Sequence, residues 1–311
     1  MKKFIYKLFR KVGIAALGNI VQEAENNRVL IAKVLINQLR NSKDNMGLKG
    51  SEFRVFSQWG EDGIIQYLIH HVAIENDVFV EFGVENYTES NTRFLLINNN
   101  WSGLVIDGDH KNISYIQSDD IYWRHSLKAK CAFITKDNIN NLLKENGISG
   151  DIGLLSVDID GNDYWVWDAI STITPRIIVC EYNSLWGDTL AVTTPYASDF
   201  IRTHAHYSNL YFGASITALT RLANIKGYSL VGSNMAGNNA FFVRNDILGS
   251  VSVVSPREAW VQSRFRESRS ESGALTFLSF AKRLALISDM QLVNIDDGLQ
   301  YTVGELYSLN K

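Results

Sequence analysis

The hydrophobic and polar positions fall into short, dense apolar runs separated by helical stripes, the pattern of an alternating α/β chain. Val78-Phe79-Val80 and Phe82 form one such run, closed by the polar end Glu81 and Gly83. Gly103 to Asp107, Ala129 to Thr135, Leu154 to Asp158 and Arg176 to Cys180 form four more. Apolar residues on both faces with a polar stop mark buried parallel strands. Between them, helices are expected over the Ile64–Ile69 stripe capped by Ser57, over Phe94–Ile97 behind Ser90-Asn91-Thr92, over Ile139–Asn146 behind Asp137 and Asn138, and from Trp165. Ala214–Lys226 reads as the last core helix. Tyr228–Gly232 and Asn239–Arg244 then close the sheet as an antiparallel hairpin turning at 234–238.

Both ends carry different patterns. Phe4, Ile5, Leu8, Phe9 and Val12 recur at helical spacing among Lys2, Lys3, Lys7, Arg10 and Lys11, as in a helix lying on an anionic membrane surface or on a second subunit. Glu23 to Asn41 continues as helix through Val29, Leu30, Val34, Leu35 and Leu39. Residues 1–50 are therefore read as a helical appendage for oligomer or membrane-surface contact. From Pro256 the chain reads as a helical tail, with Leu275, Phe277, Leu278, Phe280, Ala281, Leu284 and Leu286 as its buried face and a basic patch of Arg264, Arg266 and Arg269. This divides the chain into 1–50, a core of 51–250 and a tail of 251–311. The connection from Ser184 to Gly213 is long and rich in Trp, Tyr and His, as a lid over the strand ends would be.

The chain has 311 residues, enough for one large domain with additions, and its 46% hydrophobic content supports a sizeable core. A formal charge of −3 gives no basic field for nucleic acid. No apolar run is long enough to span a membrane. The two cysteines, Cys131 and Cys180, sit inside expected strands as small hydrophobes. That suits a reducing, cytoplasmic compartment, with contact at the inner membrane face through the basic first helix.

The chemistry gathers where the strands end. In open α/β sheets ligands bind outside the carboxyl ends of the strands. Glu81 and Gly83 stand at the first such end, and Gly83 leaves room for a ligand against the backbone. Asn91 lies at a helix start facing the same crevice. Asp107 ends the second strand and can accept from both hydroxyls of a ribose, with Asp109 as the second choice. Asp137 could reach an adenine ring. Asp158 and Asp160 alternate onto one side of the fourth strand's exit, where paired carboxylates are costly without a ligand. Glu181 and Asn183 follow the fifth strand. With Asp158 they form a hard oxygen set suited to Mg²⁺ or Mn²⁺, an arrangement similar to that of metal-dependent catechol-type methyltransferases. Plain strand-end caps and solvated loop residues are the competing reading of each.

Ser57-Gln58-Trp59-Gly60-Glu61-Asp62, Glu81-Phe82-Gly83, Ser90-Asn91-Thr92, Gly103-Leu104-Val105-Ile106-Asp107 and Asp158-Ile159-Asp160-Gly161 together resemble the FkbM-type family of S-adenosylmethionine-dependent methyltransferases, over roughly 56–244. Tyr211–Ser215 and Asn238–Arg244 look like a bacterial branch associated with surface-polysaccharide loci. The resemblance implies a class I methyltransferase Rossmann-like sheet of seven strands in the order 3-2-1-4-5-7-6. It implies O-methylation of a sugar hydroxyl in O-antigen, lipopolysaccharide or capsule, or in a precursor. Glu81 and Gly83 would then contact the methionine part of the cofactor and Asp107 its ribose. Glu85 and Tyr87 stand where the usual second and third glycines would follow the first strand. On this reading Asp158 helps hold cofactor and acceptor, and Asp160 or His206 takes the hydroxyl proton. Two other classes stay open: an NAD(P)-dependent oxidoreductase on a sugar nucleotide, since Asp107 could grip an NAD ribose, and a non-catalytic binding module on the same fold. The missing G-x-G-x-x-G counts against the first and the acid-rich strand ends against the second.

Overall fold

The computed structural model describes residues 2–41, 47–264 and 268–308, with side chains from residue 20 to residue 307 of these. The amphipathic face expected of 4–12 and Arg266 of the basic patch lie outside the residues and side chains so described. In chain order come α1 (Lys2–Asn41), α2 (Gly47–Gly50), α3 (Glu61–His71), β1 (Val78–Phe82), α4 (Arg93–Asn99), β2 (Ser102–Asp107), α5 (His110–Ser118), α6 (Asp120–Arg124) and β3 (Leu127–Cys131). Then follow α7 (Ile139–Glu145), β4 (Gly150–Val157), α8 (Asp163–Ala169), β5 (Ile173–Glu181), a 3₁₀ turn Ser184–Trp186, β6 (Val192–Thr193), α9 (Arg202–Ala205), α10 (Ile216–Lys226), β7 (Tyr228–Ser233) and β8 (Asn239–Arg244). A second 3₁₀ turn, Asn245–Ile247, leads to α11 (Pro256–Ala259), α12 (Phe280–Leu286), β9 (Gln291–Asn294), β10 (Gln300–Thr302) and α13 (Val303–Ser308).

Seven strands form one mixed sheet in the order β3-β2-β1-β4-β5-β8-β7. The first five are parallel, and β8 is antiparallel to both β5 and β7. With β7 and β8 counted as the sixth and seventh sheet strands, this is the order the resemblance implies for a class I methyltransferase sheet. Alternation along each strand feeds two cores. Val80, Phe82, Leu155, Ile178 and Phe242 pack under α7, α8 and α10. Phe79, Val105, Leu154, Val179 and Phe241 pack under α3, α4 and α5. Cys180 is buried in the first core and Cys131 is half-buried at the sheet edge; both are free thiols. Among the described residues no helix is long and apolar enough to cross a membrane.

Three local expectations shift. Helix α3 starts at Glu61 after Gly60, and Ser57 acts from outside it, its Oγ accepting from the Asp62 N–H at 3.2 Å. Strand β3 ends at Cys131, four residues before the expected Thr135, because an edge strand stops pairing when its only neighbour ends at Asp107. The tail contains strands as well as helices: β9 pairs with β10 and with β6, making a three-stranded second sheet with the lid. Leu275 and Phe277 are exposed, at 46% and 71%. The tail's buried apolar residues against the lid are Ile287, Leu292, Val303 and Leu306, which pack on Leu185, Trp186, Val192, Leu210 and Tyr211.

Candidate active site

The sheet order reverses between β1 and β4, and a cleft of about 500 Å³ opens there, at the carboxyl ends of the strands. It runs from the end of β3 to the start of β8. Glu81, Glu85, Glu89, Asp107, Asp158, Asp160 and Glu181 line it, and Arg202 is its one basic side chain among the described residues. Such a surface attracts cations and hydroxyl donors and repels anions.

The first half is built on β1 and β2. Glu81 is 4% exposed. Its Oε1 accepts from the Asn91 N–H (2.8 Å), and its Oε2 accepts from the Thr92 N–H (3.0 Å) and the Thr92 hydroxyl. Burial nevertheless dominates and pushes its pKa up to about 7. The carboxyl thus ties the start of α4 to the sheet while forming part of the cleft wall. Gly83, at φ +68°, packs so tightly that a Cβ would collide with the Asp158 carbonyl oxygen. The space that the missing side chain leaves is therefore filled by the backbone just past the end of β4, and is not left for a ligand as the sequence reading expects. Beyond it Glu85 and Tyr87 take φ values of 47° and 63°. They keep the left-handed backbone that glycines adopt freely, so the turn survives its two substitutions. The Glu85 N–H donates to Asp107 Oδ2 (2.8 Å), and the Tyr87 ring is fully buried with its hydroxyl 3.0 Å from Thr92 Oγ1.

Asp107 closes this half. Its Oδ1 accepts from the Asp109 N–H (2.8 Å) and the Asn112 amide (3.0 Å), which fixes the carboxylate at the rim. Phe133, 46% exposed, presents its ring to the cleft beside Ala132 and Ile134. Sequence reasoning placed these three inside a strand; the signal that separates them is that the partner strand has already ended. Asn91 lines the cleft and its side-chain amide donates to Ser156 Oγ at 3.1 Å. Asp109 and Asp137 do not line it. Asp109 is an exposed cap of α5, accepting from the Lys111 N–H at 2.8 Å, and exposed Asp137 meets the Tyr196 hydroxyl at 3.4 Å.

The second half lies beyond β4, β5 and β8. Carboxylate oxygens of Asp158, Asp163 and Glu181 all lie within 4.8 Å of one another. Burial, together with neighbouring carboxylates, pushes Asp158 and Glu181 well above the usual carboxylate range. Asp163, the first residue of α8, accepts from the Ile159 N–H (2.8 Å) and the Gly161 N–H (2.9 Å); burial raises it to about 6. Among the described residues, three buried acceptor oxygens of this half have no hydrogen-bond partner: Glu181 Oε2, Asn239 Oδ1 and Asn162 Oδ1. Each belongs to a side chain lining the cleft. Buried acceptors without donors are expensive, so a surface that concentrates them is shaped for something that supplies donors or positive charge.

Two expected roles are not supported by the geometry. Asn183 does not line the cleft. Strand β5 stops at Glu181, and Asn183 instead caps the following 3₁₀ turn, accepting from the Leu185 N–H (3.0 Å) and donating to the Leu210 and Phe212 carbonyls (3.0 and 3.1 Å). His206 also lies outside it, with Nδ1 2.7 Å from Ser208 Oγ and its ring stacked on Tyr207. Asp160 does face the cleft. It is mostly exposed, sits at φ 57° and pairs with Arg202 at 2.7 Å. Arg202 belongs to the lid, as does Phe200, whose ring occupies the space a Cβ on Gly161 would need. Asn162 donates to the Ala197 carbonyl at 2.8 Å, and the Trp165 indole donates to the Thr194 carbonyl at 2.9 Å. The connection read as a lid is therefore fastened to the acidic loop. Sequence reasoning left Arg202, Asp163, Asn162 and Asn239 unassigned.

No protein-family model matches the chain, and no curated protein matches it in sequence. Its structural neighbours include an S-adenosylmethionine-dependent methyltransferase from Clostridium acetobutylicum, 10% identical, covering 59% of this chain and 90% of that one with a TM-score of 0.38. They include the N-terminal domain of EvdMO1 with SAH bound, 9% identical, covering 53% of this chain and 72% of that one with a TM-score of 0.34. An O-methyltransferase from Bacillus cereus in complex with SAH is 10% identical and covers 53% of this chain and 72% of that one, with a TM-score of 0.32. Likeness at this level assigns neither a reaction nor a ligand to this chain.

Proposed function

We propose that the chain is an S-adenosylmethionine-dependent O-methyltransferase whose acceptor is a sugar hydroxyl of a bacterial surface polysaccharide or its precursor. The observation that carries the reading is the two-part acidic cleft at the reversal point of a sheet with the class I methyltransferase strand order. Seven carboxyl groups against one guanidinium suit a sulfonium ligand and disfavour a dinucleotide, whose pyrophosphate is anionic. The β1–β2 half supplies Asp107 for the ribose hydroxyls, Phe133 for the face of the base, and Glu81, Gly83 and Asn91 beside the methionine part. The β4–β5 half, roofed by Phe200 and Arg202, receives the acceptor.

Methyl transfer forms one C–O bond as one C–S bond breaks, and the acceptor hydroxyl loses a proton. Much of the rate in such a step comes from alignment, which the lid and the buried walls provide. Asp158 and Glu181 accept hydrogen bonds from the acceptor, and Asp160, open to the cleft, takes the proton. The oxygen-only set around Asp158, Asp163 and Glu181 also fits a hard divalent cation, which would lower the acceptor's pKa.

Thermal shift with S-adenosylmethionine, S-adenosylhomocysteine and NAD tests the first step. Stabilisation by the two sulfur nucleosides and not by NAD is expected; stabilisation by NAD alone rejects methyl transfer. Mass spectrometry of surface glycans from cells with and without the protein then tests the acceptor, the expected change being loss of a methyl group from one sugar.

A further inference from the structure

We infer that the acceptor half of the cleft is a divalent-cation site whose neutral ligand is Asn239, with Asp158 and Glu181 as its anionic ligands. The inference deepens the methyltransferase reading, since the cation would sit where the acceptor hydroxyl binds.

The geometry rests on cross-strand pairing. Glu181, the last residue of β5, is the antiparallel partner of Asn239, the first of β8. Directly opposed residues send their side chains to the same face, with Cβ atoms about 5 Å apart. Both side chains line the cleft, and both are more than nine-tenths buried, at 7% and 3% exposure. Each holds one oxygen, Glu181 Oε2 and Asn239 Oδ1, that no donor among the described residues meets.

The orientation of the Asn239 amide is fixed from behind. Its Nδ2 donates to Glu61 Oε1 at 3.0 Å. A carboxylate only accepts, so the nitrogen must face Glu61, which leaves the oxygen on the other side of the amide. Glu61 is itself held. Its Oε1 also accepts from the Asn234 amide (2.6 Å), and its Oε2 accepts from the Trp59 N–H (3.0 Å) and the Gly60 N–H (2.9 Å). A fully buried carboxylate at the start of α3 thus serves as the outer support of an amide oxygen across the sheet. This gives the Gly60-Glu61 stretch a positioning role, although Glu61 does not line the cleft.

A divalent cation accounts for several costs together. Two carboxylates and an amide oxygen form an oxygen set of the kind that Mg²⁺ and Mn²⁺ take, leaving positions for acceptor hydroxyls. Asp163, within 4.8 Å of the other two carboxyls, adds negative charge while its own oxygens hold the 159–161 loop.

The test is titration of the full-length, EDTA-stripped protein with MnCl₂, following loss of the free-ion electron paramagnetic resonance signal. A saturable site is expected, weakened about tenfold or more in Glu181→Gln and in Asn239→Ala. Glu181→Gln keeps the side chain's shape, and circular dichroism melts of both variants separate lost binding from lost fold. Absence of saturable binding in the native chain, or native-like binding in a folded Glu181→Gln, overturns the cation site. A thermal shift with S-adenosylmethionine is measured in parallel. Cofactor binding without Mn²⁺ binding overturns the cation site alone; Mn²⁺ binding without cofactor binding upholds it and rejects the methyltransferase reading.

Discussion

Tyr87 shows how a residue can serve two opposed demands. Its backbone sits at φ 63°, where a β-carbon costs about 1 kcal/mol or more, while its ring is fully buried. Only glycine would relieve the first demand, and glycine would empty the second. Loss of a large buried aromatic costs about 3–5 kcal/mol, so burial wins. Tyr87→Gly is therefore expected to destabilise the chain by several kcal/mol despite its easier backbone. Tyr87→Phe, which loses the contact with Thr92 Oγ1 but keeps the buried ring, should cost about 1 kcal/mol. Urea unfolding of the two variants measures the difference, and a Gly variant as stable as the native chain would refute the account. The same residue explains a limit of sequence reading: a missing glycine looks like a lost turn, whereas the turn persists with a core residue anchoring it. Asn183 shows the opposite limit. Two residues after Glu181 it offers a hard oxygen by composition, but the strand ends at Glu181 and the following 3₁₀ turn takes that oxygen as its cap.

At the scale of elements, three helix starts depend on buried carboxyls. Asp62 in the first turn of α3 accepts from the Val55, Phe56 and Ser57 N–H groups at 2.7–2.8 Å, Glu81 holds Asn91 and Thr92 before α4, and Asp163 opens α8. Backbone donors and helix dipoles favour the charged forms, yet burial outweighs them, lifting the three to about 6, 7 and 6. Unfolded carboxyls titrate near 4, so each group's contribution is complete below that pH and is lost as pH rises through the folded value. Stability should fall between about pH 4 and pH 7, by an amount of order 3 kcal/mol for Glu81 alone. Melting curves across that window should show the fall, with a smaller fall in Glu81→Gln; an equal fall in both would remove Glu81 from the explanation. The buried strands of the main sheet were legible because both faces carry apolar runs. β3 was misplaced because, past the end of its only partner strand, Phe133 is apolar to line a cleft and Ile134 to pack into the core, with no ladder left to join.

At the scale of the whole molecule, the tail is tied to the lid. Seen along the chain, 251–311 shows a helical stripe. Its apolar contact with the lid instead comes from Ile287, Leu292, Val303 and Leu306, spread over a strand, a helix and the residue that ends another helix. That spacing has no single period, and its meaning lies in the distant pairing of Thr193 with Val293, which no local pattern carries. The lid in turn reaches the acidic loop through Phe200, Arg202 and Asn162. The physical path therefore runs from tail to lid to the β4–β5 half of the cleft, while the β1–β2 half stands on the main sheet. A chain ending at residue 250 should lose the second sheet and uncover Trp186, Leu210 and Tyr211, three side chains at most 6% exposed. It is expected to melt earlier, to expose the 184–213 segment to protease, and to bind S-adenosylmethionine with the Mn²⁺ site weakened. Limited proteolysis followed by mass spectrometry, with both ligands titrated in parallel, checks this separation. Protection of 184–213 equal to that in the full chain would show that the lid stands without the tail.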